Sequence, residues 1–205
     1  MMRLLIVAMS ESIHTARWIN QVADQGWDIH LFPSVDNGIL HLEMKNITVY
    51  HSVYAWQKEK NINVKLQGLP LFYNPFAVLA RKTLSKLFPK YRAVQLGRLI
   101  DKLEPDIIHS LEIQHAGYLL FESRKFTKNK FPVSIVTNWG SDIYLFGRLA
   151  EHEPKIRAVL ESSDYYSCEC KRDVELARKY GFKGKVLPVF SNTGGFDLEA
   201  ELFQN

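Results

Sequence analysis

The sequence predicts an α/β fold: a Rossmann-like parallel sheet of about seven strands with helices on both faces. Three observations carry this. Short apolar runs recur along the chain, separated by stretches whose apolar residues fall three and four apart. The first run, Leu4-Leu5-Ile6-Val7-Ala8-Met9, is continuously apolar, as a strand covered on both faces must be. Glycine or proline closes several of the helical stretches, at Gly26, Pro105 and Gly181.

The elements follow in order. Leu4–Met9 is the first strand. Thr15–Gln25 is a helix, with Ala16, Ile19, Val22 and Ala23 on one face. Asp28–Phe32 and Ile47–His51 read as the second and third strands. After an irregular basic stretch, Pro75–Leu87 reads as a helix with proline at its start, and Tyr91–Leu103 as another. Asp106–His109 is a short strand, Ala116–Lys125 a helix and Val133–Thr137 a fifth strand. Pro154–Ser162 is helical, Tyr165–Glu169 a strand, Arg172–Tyr180 a helix and Val186–Val189 the last strand.

The 205 residues, 46% of them apolar, suffice for one large domain with a full core. The chain divides into residues 1–190, the domain, and residues 191–205, which read as the start of an interdomain linker around Gly194-Gly195-Phe196-Asp197. The first apolar run is too short for a signal peptide and is followed at once by Ser10-Glu11-Ser12. No run approaches the ~18 apolar residues of a membrane span. Two cysteines, Cys168 and Cys170, cannot build a disulfide framework. Together these features predict a cytoplasmic chain. The cysteines fall one residue short of Cys-x-x-Cys spacing, and no metal site is expected.

Net charge is +4 but uneven: Lys58 to Arg92 holds eight basic residues and one acid, Glu59. Such local basicity suits an anionic partner on one face rather than a coat for nucleic acid. Within it, Arg81, Lys82, Lys86 and Lys90 lie among Leu71, Phe72, Tyr73, Phe76, Leu79, Leu84, Leu87 and Phe88. This is the composition of an amphipathic segment resting on anionic lipid, and equally of a helix whose apolar side joins the core.

In an open parallel sheet the binding crevice lies at the carboxyl ends of the strands. That rule selects the loops Ser10–Thr15, Pro33–Gly38, His109–His115, Asn138–Phe146, Glu169–Asp173 and Phe190–Gly195. The first lacks Gly-x-Gly-x-x-Gly, which argues against a dinucleotide site, and there is no phosphate-cradling Walker loop. His14 and Thr15 stand at a helix start, where they either cap it or meet a ligand. His109 reads as a strand-end core residue or a ligand contact, and His115 as a hydroxyl-binding imidazole at a helix start. Trp139-Gly140-Ser141-Asp142 suits an acceptor best. Trp139 offers a flat apolar face, Gly140 permits close approach, and Asp142 can accept hydroxyl hydrogen bonds or cap the next helix.

Ser12-Ile13-His14-Thr15-Ala16-Arg17-Trp18 followed by Gln25-Gly26-Trp27-Asp28-Ile29-His30 resembles the opening of family-four glycosyltransferases. Pro105–His109, Trp139–Asp142, Ser163-Asp164-Tyr165, Arg172-Asp173, Tyr180-Gly181, Lys185-Val186 and Gly194–Asp197 resemble later parts of the same family, in order and across nearly the whole chain. The resemblance implies one half of a two-Rossmann-domain transferase. This half would bind a glycan or lipid-linked acceptor, and a separate C-terminal domain would bind the nucleotide-sugar donor, so no cofactor is expected here. It also implies retention of anomeric configuration, and suggests cell-surface polysaccharide assembly as a setting. Two other readings stay open: a non-catalytic flavodoxin-like binding module, and half of a sugar-nucleotide epimerase.

Overall fold

The computed structural model describes residues 1–55 and 63–192. Its strands are β1 (Arg3–Ala8), β2 (Asp28–Pro33), β3 (Ile47–Ala55), β4 (Val64–Leu71), β5 (Ile107–Leu111), β6 (Val133–Thr137), β7 (Tyr165–Ser167) and β8 (Lys185–Val186). They form one sheet in the order β4-β3-β2-β1-β5-β6-β7-β8, with every pair parallel. The helices are α1 (Ile13–Val22), α2 (Asn74–Leu87), α3 (Tyr91–Leu103), α4 (Tyr118–Ser123), α5 (Ser141–Tyr144), α6 (Glu153–Glu161) and α7 (Lys171–Lys179).

The period-two geometry of β1 divides the core into two layers. Leu4, Ile6 and Ala8 join Ala16 and Ile19 of α1 on one face of the sheet. Leu5 and Val7 join Leu96, Leu99 and Ile100 of α3 and Leu120 of α4 on the other. A third cluster packs Val136 and Tyr166 against Ile156, Val159 and Leu160 of α6 and Ala177 of α7. A continuously apolar strand is therefore required by burial on both sides.

The structure departs from the sequence expectation in three places. The stretch expected to be irregular contains an eighth strand, β4. It carries Gly68 and Pro70 and is largely exposed, features that a sheet edge tolerates and a central strand does not. Its pairing with β3 shifts register between Tyr50 and Val53. Gly68 sits there at φ +133°, and a Cβ on it would overlap the His51 carbonyl. The expected helix 116–125 begins instead as a π-turn at Ile113–Gly117 and ends as a 3-10 turn at Arg124–Phe126. Part of the loop 138–146 folds into the short helix α5.

The apolar side of α2 does not join the core. Only Ala77 and Arg81 of this helix are buried. Phe76, Leu79 and Leu87 are exposed along α2, and Phe72 just before the helix is 95% exposed. Lys82, Lys86 and Lys90 are exposed as well. Arg81, grouped with them from the sequence, is instead buried and donates from Nη1 to the Val53 carbonyl at 2.8 Å. Lys58, Glu59 and Lys60 lie outside the described residues, as does the expected linker turn from Thr193 onward.

Candidate functional site

Strand order reverses between β1 and β5, the position at which open parallel sheets leave a crevice at their carboxyl edge. Loops after β1, β2, β5 and β6 converge there. Trp139, following β6, is half-buried, and its ring meets that of His14 edge-on at 6.1 Å. His14, Gly140 and Ser141 are exposed beside it. Gly140 adopts φ +40°, and apart from its chain neighbours Trp139 and Ser141 no residue comes within 4 Å of where a Cβ would stand. The glycine thus serves a turn at positive φ, a conformation that residues with a side chain rarely adopt.

Glu112 follows β5 with φ +95° and ψ 153°, a conformation costly for a residue with a side chain. Its backbone is fixed at both ends: its N–H donates to the Thr137 carbonyl at 3.1 Å, and its carbonyl accepts from Gly117 at 3.1 Å. The buried carboxylate accepts from Ser34 Oγ at 3.3 Å and meets His115 Nδ1 at 3.2 Å. Burial raises the Glu112 pKa, against the opposing pull of His115. The His115 side chain is exposed, and this contact uses Nδ1, leaving Nε2 for another partner. An imidazole held by a carboxylate can take a proton from, or hydrogen-bond, a sugar hydroxyl.

Asp142 is almost wholly buried. Its Oδ2 accepts from the main-chain N–H groups of Trp139 and Ile113, each at 3.0 Å. It lies inside α5, whose N-cap is Gly140, and rather than capping that helix it ties the β6 loop to the π-turn. Burial pushes its carboxyl up to about 7, outweighing those two hydrogen bonds. Gln114 adds a bond from Nε2 to the Asp142 carbonyl at 2.8 Å.

Two further residues singled out from the sequence are buried rather than exposed at the crevice. Thr15 is fully buried within α1. His109 is buried, its Nε2 lies 2.7 Å from Thr137 Oγ1, and Trp18 packs edge-on to its ring at 4.9 Å. Burial pushes the His109 pKa down to about 3, so the ring is neutral. Of the eight acceptor candidates, the crevice thus gathers His14, Trp139, Gly140, Ser141 and His115, while Asp142 braces its floor. Glu112 and Ser34 belong to the site although neither was singled out from the sequence. A glutamate directly after a strand, between a strand-end histidine and a loop histidine, was the available signal. Arg148 carried no motif to mark it; its guanidinium and that of Arg172 lie over the exposed Tyr144 ring at 4.2 and 4.1 Å.

Beyond β6, Asn138 donates to Asp173 Oδ2 at 2.8 Å and accepts from the Ile143 N–H at 3.1 Å, both bonds buried. Cys170 stands at the N-cap of α7, and Cys168 is buried. Among the described residues no group of His, Cys, Asp and Glu could hold a metal ion. No helix among them is long and apolar enough to cross a membrane. The chain leaving β8 returns to the crevice edge: Asn192 is buried, accepting from Ser167 Oγ at 3.1 Å and donating its N–H to Glu169 at 2.9 Å.

Comparison with known proteins adds two findings. A family profile described as "Glycosyl transferase 4-like" matches residues 3–168. A solved structure titled sucrose-phosphate synthase, from Thermosynechococcus elongatus, is similar in fold, with a TM-score of 0.53 at 16% identity over 98% of this chain and 94% of that one. No curated protein sequence matches.

Proposed function

The chain belongs to the glycosyl transferase 4-like family, and from that premise we propose that it is the acceptor-binding half of a two-domain transferase moving a sugar from a nucleotide-sugar to a glycan or lipid-linked acceptor. The observation that carries this reading is the crevice at the β1/β5 switch point. At that carboxyl edge stand Trp139 with the exposed His14 against its ring, Gly140 at positive φ, and the Glu112–His115 pair. An acceptor sugar would stack on Trp139, as sugar rings do on flat apolar faces, and give a hydroxyl to His115 Nε2. The donor would be held by a second domain beginning past residue 190, and anomeric configuration would be retained. Charge on the leaving nucleotide would be stabilised mainly from that second domain.

Saturation-transfer NMR of the chain against a panel of glycans tests the acceptor site. Sugar signals are expected with the native chain and lost in Trp139→Ala, while far-ultraviolet circular dichroism is unchanged. No sugar signal with the native chain would overturn the reading. The chain alone is expected not to turn over, so sugar transfer by it from a nucleotide-sugar would overturn the division of labour.

A second part of the proposal concerns location. The exposed side chains of Phe72, Phe76, Leu79 and Leu87, together with Lys82, Lys86 and Lys90, suit a cytoplasmic chain resting on an anionic membrane that carries its acceptor. Each lysine near such a surface contributes about 1 kcal/mol. Binding to phosphatidylglycerol-containing vesicles, absent with pure phosphatidylcholine and lost in Phe76→Ser/Leu79→Ser, is the expected result. Equal binding to both vesicle types would refute an electrostatic contribution.

A further inference from the structure

Glu112 stands in a backbone conformation, φ +95° and ψ 153°, that glycine enters freely and other residues do not. A glycine would serve the turn after β5, yet the chain carries a glutamate there, with its side chain only 7% exposed. A buried carboxyl needs hydrogen-bond partners, and each one here can donate. Ser34 Oγ donates to Oε1 at 3.3 Å, the Ala116 N–H donates from the π-turn, and His115 Nδ1 lies 3.2 Å from Oε2. Ser34 is itself fixed at the end of β2, its N–H donating to the Ala8 carbonyl at 2.8 Å. Burial raises the Glu112 pKa, while all three contacts favour the ionised form. An ionised carboxylate can only accept, so the contact with His115 requires a proton on Nδ1. A neutral imidazole has a single N–H, which leaves Nε2 bare, on a side chain that is 59% exposed.

We infer that Glu112 is a positioning residue: held by Ser34 and Ala116, it fixes His115 as the Nδ1–H tautomer, so that Nε2 takes a hydroxyl or another hydrogen-bond donor and refuses a carboxylate or phosphate oxygen. An oxyanion at that position would set its lone pairs against that of Nε2 and meet the Glu112 charge behind the ring. Asp142, the other carboxyl that acts electrostatically on His115, adds to this repulsion when ionised. The strained backbone of Glu112 is thereby tied to the polarity of the crevice. The ligand class rests on the acceptor reading of the crevice, whereas the state of the ring does not.

NMR of the chain labelled with 15N-histidine reads the ring nitrogens directly, because a protonated and a bare nitrogen resonate far apart. Spectra are taken about two units above the ordinary imidazole pKa, near pH 8.5. Of the seven histidines, the one whose signals vanish in His115→Asn is assigned to that position. The expected result is a protonated Nδ1 and a bare Nε2. Glu112→Gly removes the carboxylate and suits the backbone, so it should fold, and should move the His115 signals to the averaged values of an imidazole in water. A proton on Nε2 in the native chain would overturn the inference without any variant. An unchanged Nδ1–H ring in folded Glu112→Gly would take the role away from Glu112. Glucuronate should leave the His115 signals in place, and a saturable shift would overturn the selectivity. The expected tautomer with no glycan bound in the saturation-transfer panel means that the acceptor reading fails while the positioning role stands.

Discussion

Removing the Asp142 charge while keeping its acceptor should stabilise this protein in alkaline solution. The carboxyl is pushed from 3.8 up to about 7 by burial, with the Trp139 and Ile113 amides pulling the other way. Between those values the folded chain holds a proton that the unfolded chain releases. Stability therefore falls as pH rises from about 4 to about 7, and is level above that. At about 1.4 kcal/mol for each pH unit across that window, the ionised form costs at most about 4 kcal/mol. Asp142→Asn keeps an oxygen for both amides and removes that cost. It should exceed the native chain by about 1–4 kcal/mol near pH 9 and match it within about 1 kcal/mol near pH 4. Asp142→Ala strands two buried N–H groups and should fall about 2–3 kcal/mol below Asp142→Asn at every pH. Urea unfolding of the three proteins at several pH values measures all of this. If Asp142→Asn is the less stable of the pair with the native chain near pH 9, the carboxylate is needed as an anion and the burial argument is wrong.

Other consequences can be read in the same way. His109 should stay neutral down to about pH 3, so its ring signals should not titrate between about pH 5 and 8, and a midpoint near 6.5 would contradict its burial. Because its folded pKa lies below the unfolded one, its contribution to stability is full above about pH 6.5 and declines as pH falls toward 3. Arg81→Ala should cost about 1–3 kcal/mol in urea unfolding, by removing a buried charged donor from the Val53 carbonyl, whereas Lys82→Ala should cost less than about 0.5 kcal/mol. Gly68→Ala should destabilise by more than about 1 kcal/mol, since the β3–β4 register leaves no room for a Cβ beside His51; no loss would mean that the edge strand shifts freely.

Much of the fold was legible before any tertiary contact was known. The continuous apolar run of β1, the helical spacing of α1 and α3, and the stops at Gly26 and Pro105 each encode a local preference that packing reinforces. β4 was not legible, because a strand that buries little shows no strong period and its glycine and proline read as loop. The topological rule named the crevice loops, since a parallel sheet has only one carboxyl edge.

The division within those loops was a matter of tertiary structure. The sequence left His109 open between core and ligand contact; packing within β5 beneath Trp18 seals it, whereas His115, six residues on in the turn after the strand, stays open beside Glu112. Arg81 and Lys82 are neighbours of the same charge, yet the 100° step of a helix buries one against Val53 and exposes the other. The sequence by itself determined the layers, the crevice edge and the residue types available there, because these follow from periodicity and chain order. Which side chains are exposed at the crevice and which are spent on internal hydrogen bonds were decided by tertiary packing, because direction and burial are properties of neighbours that lie far apart along the chain.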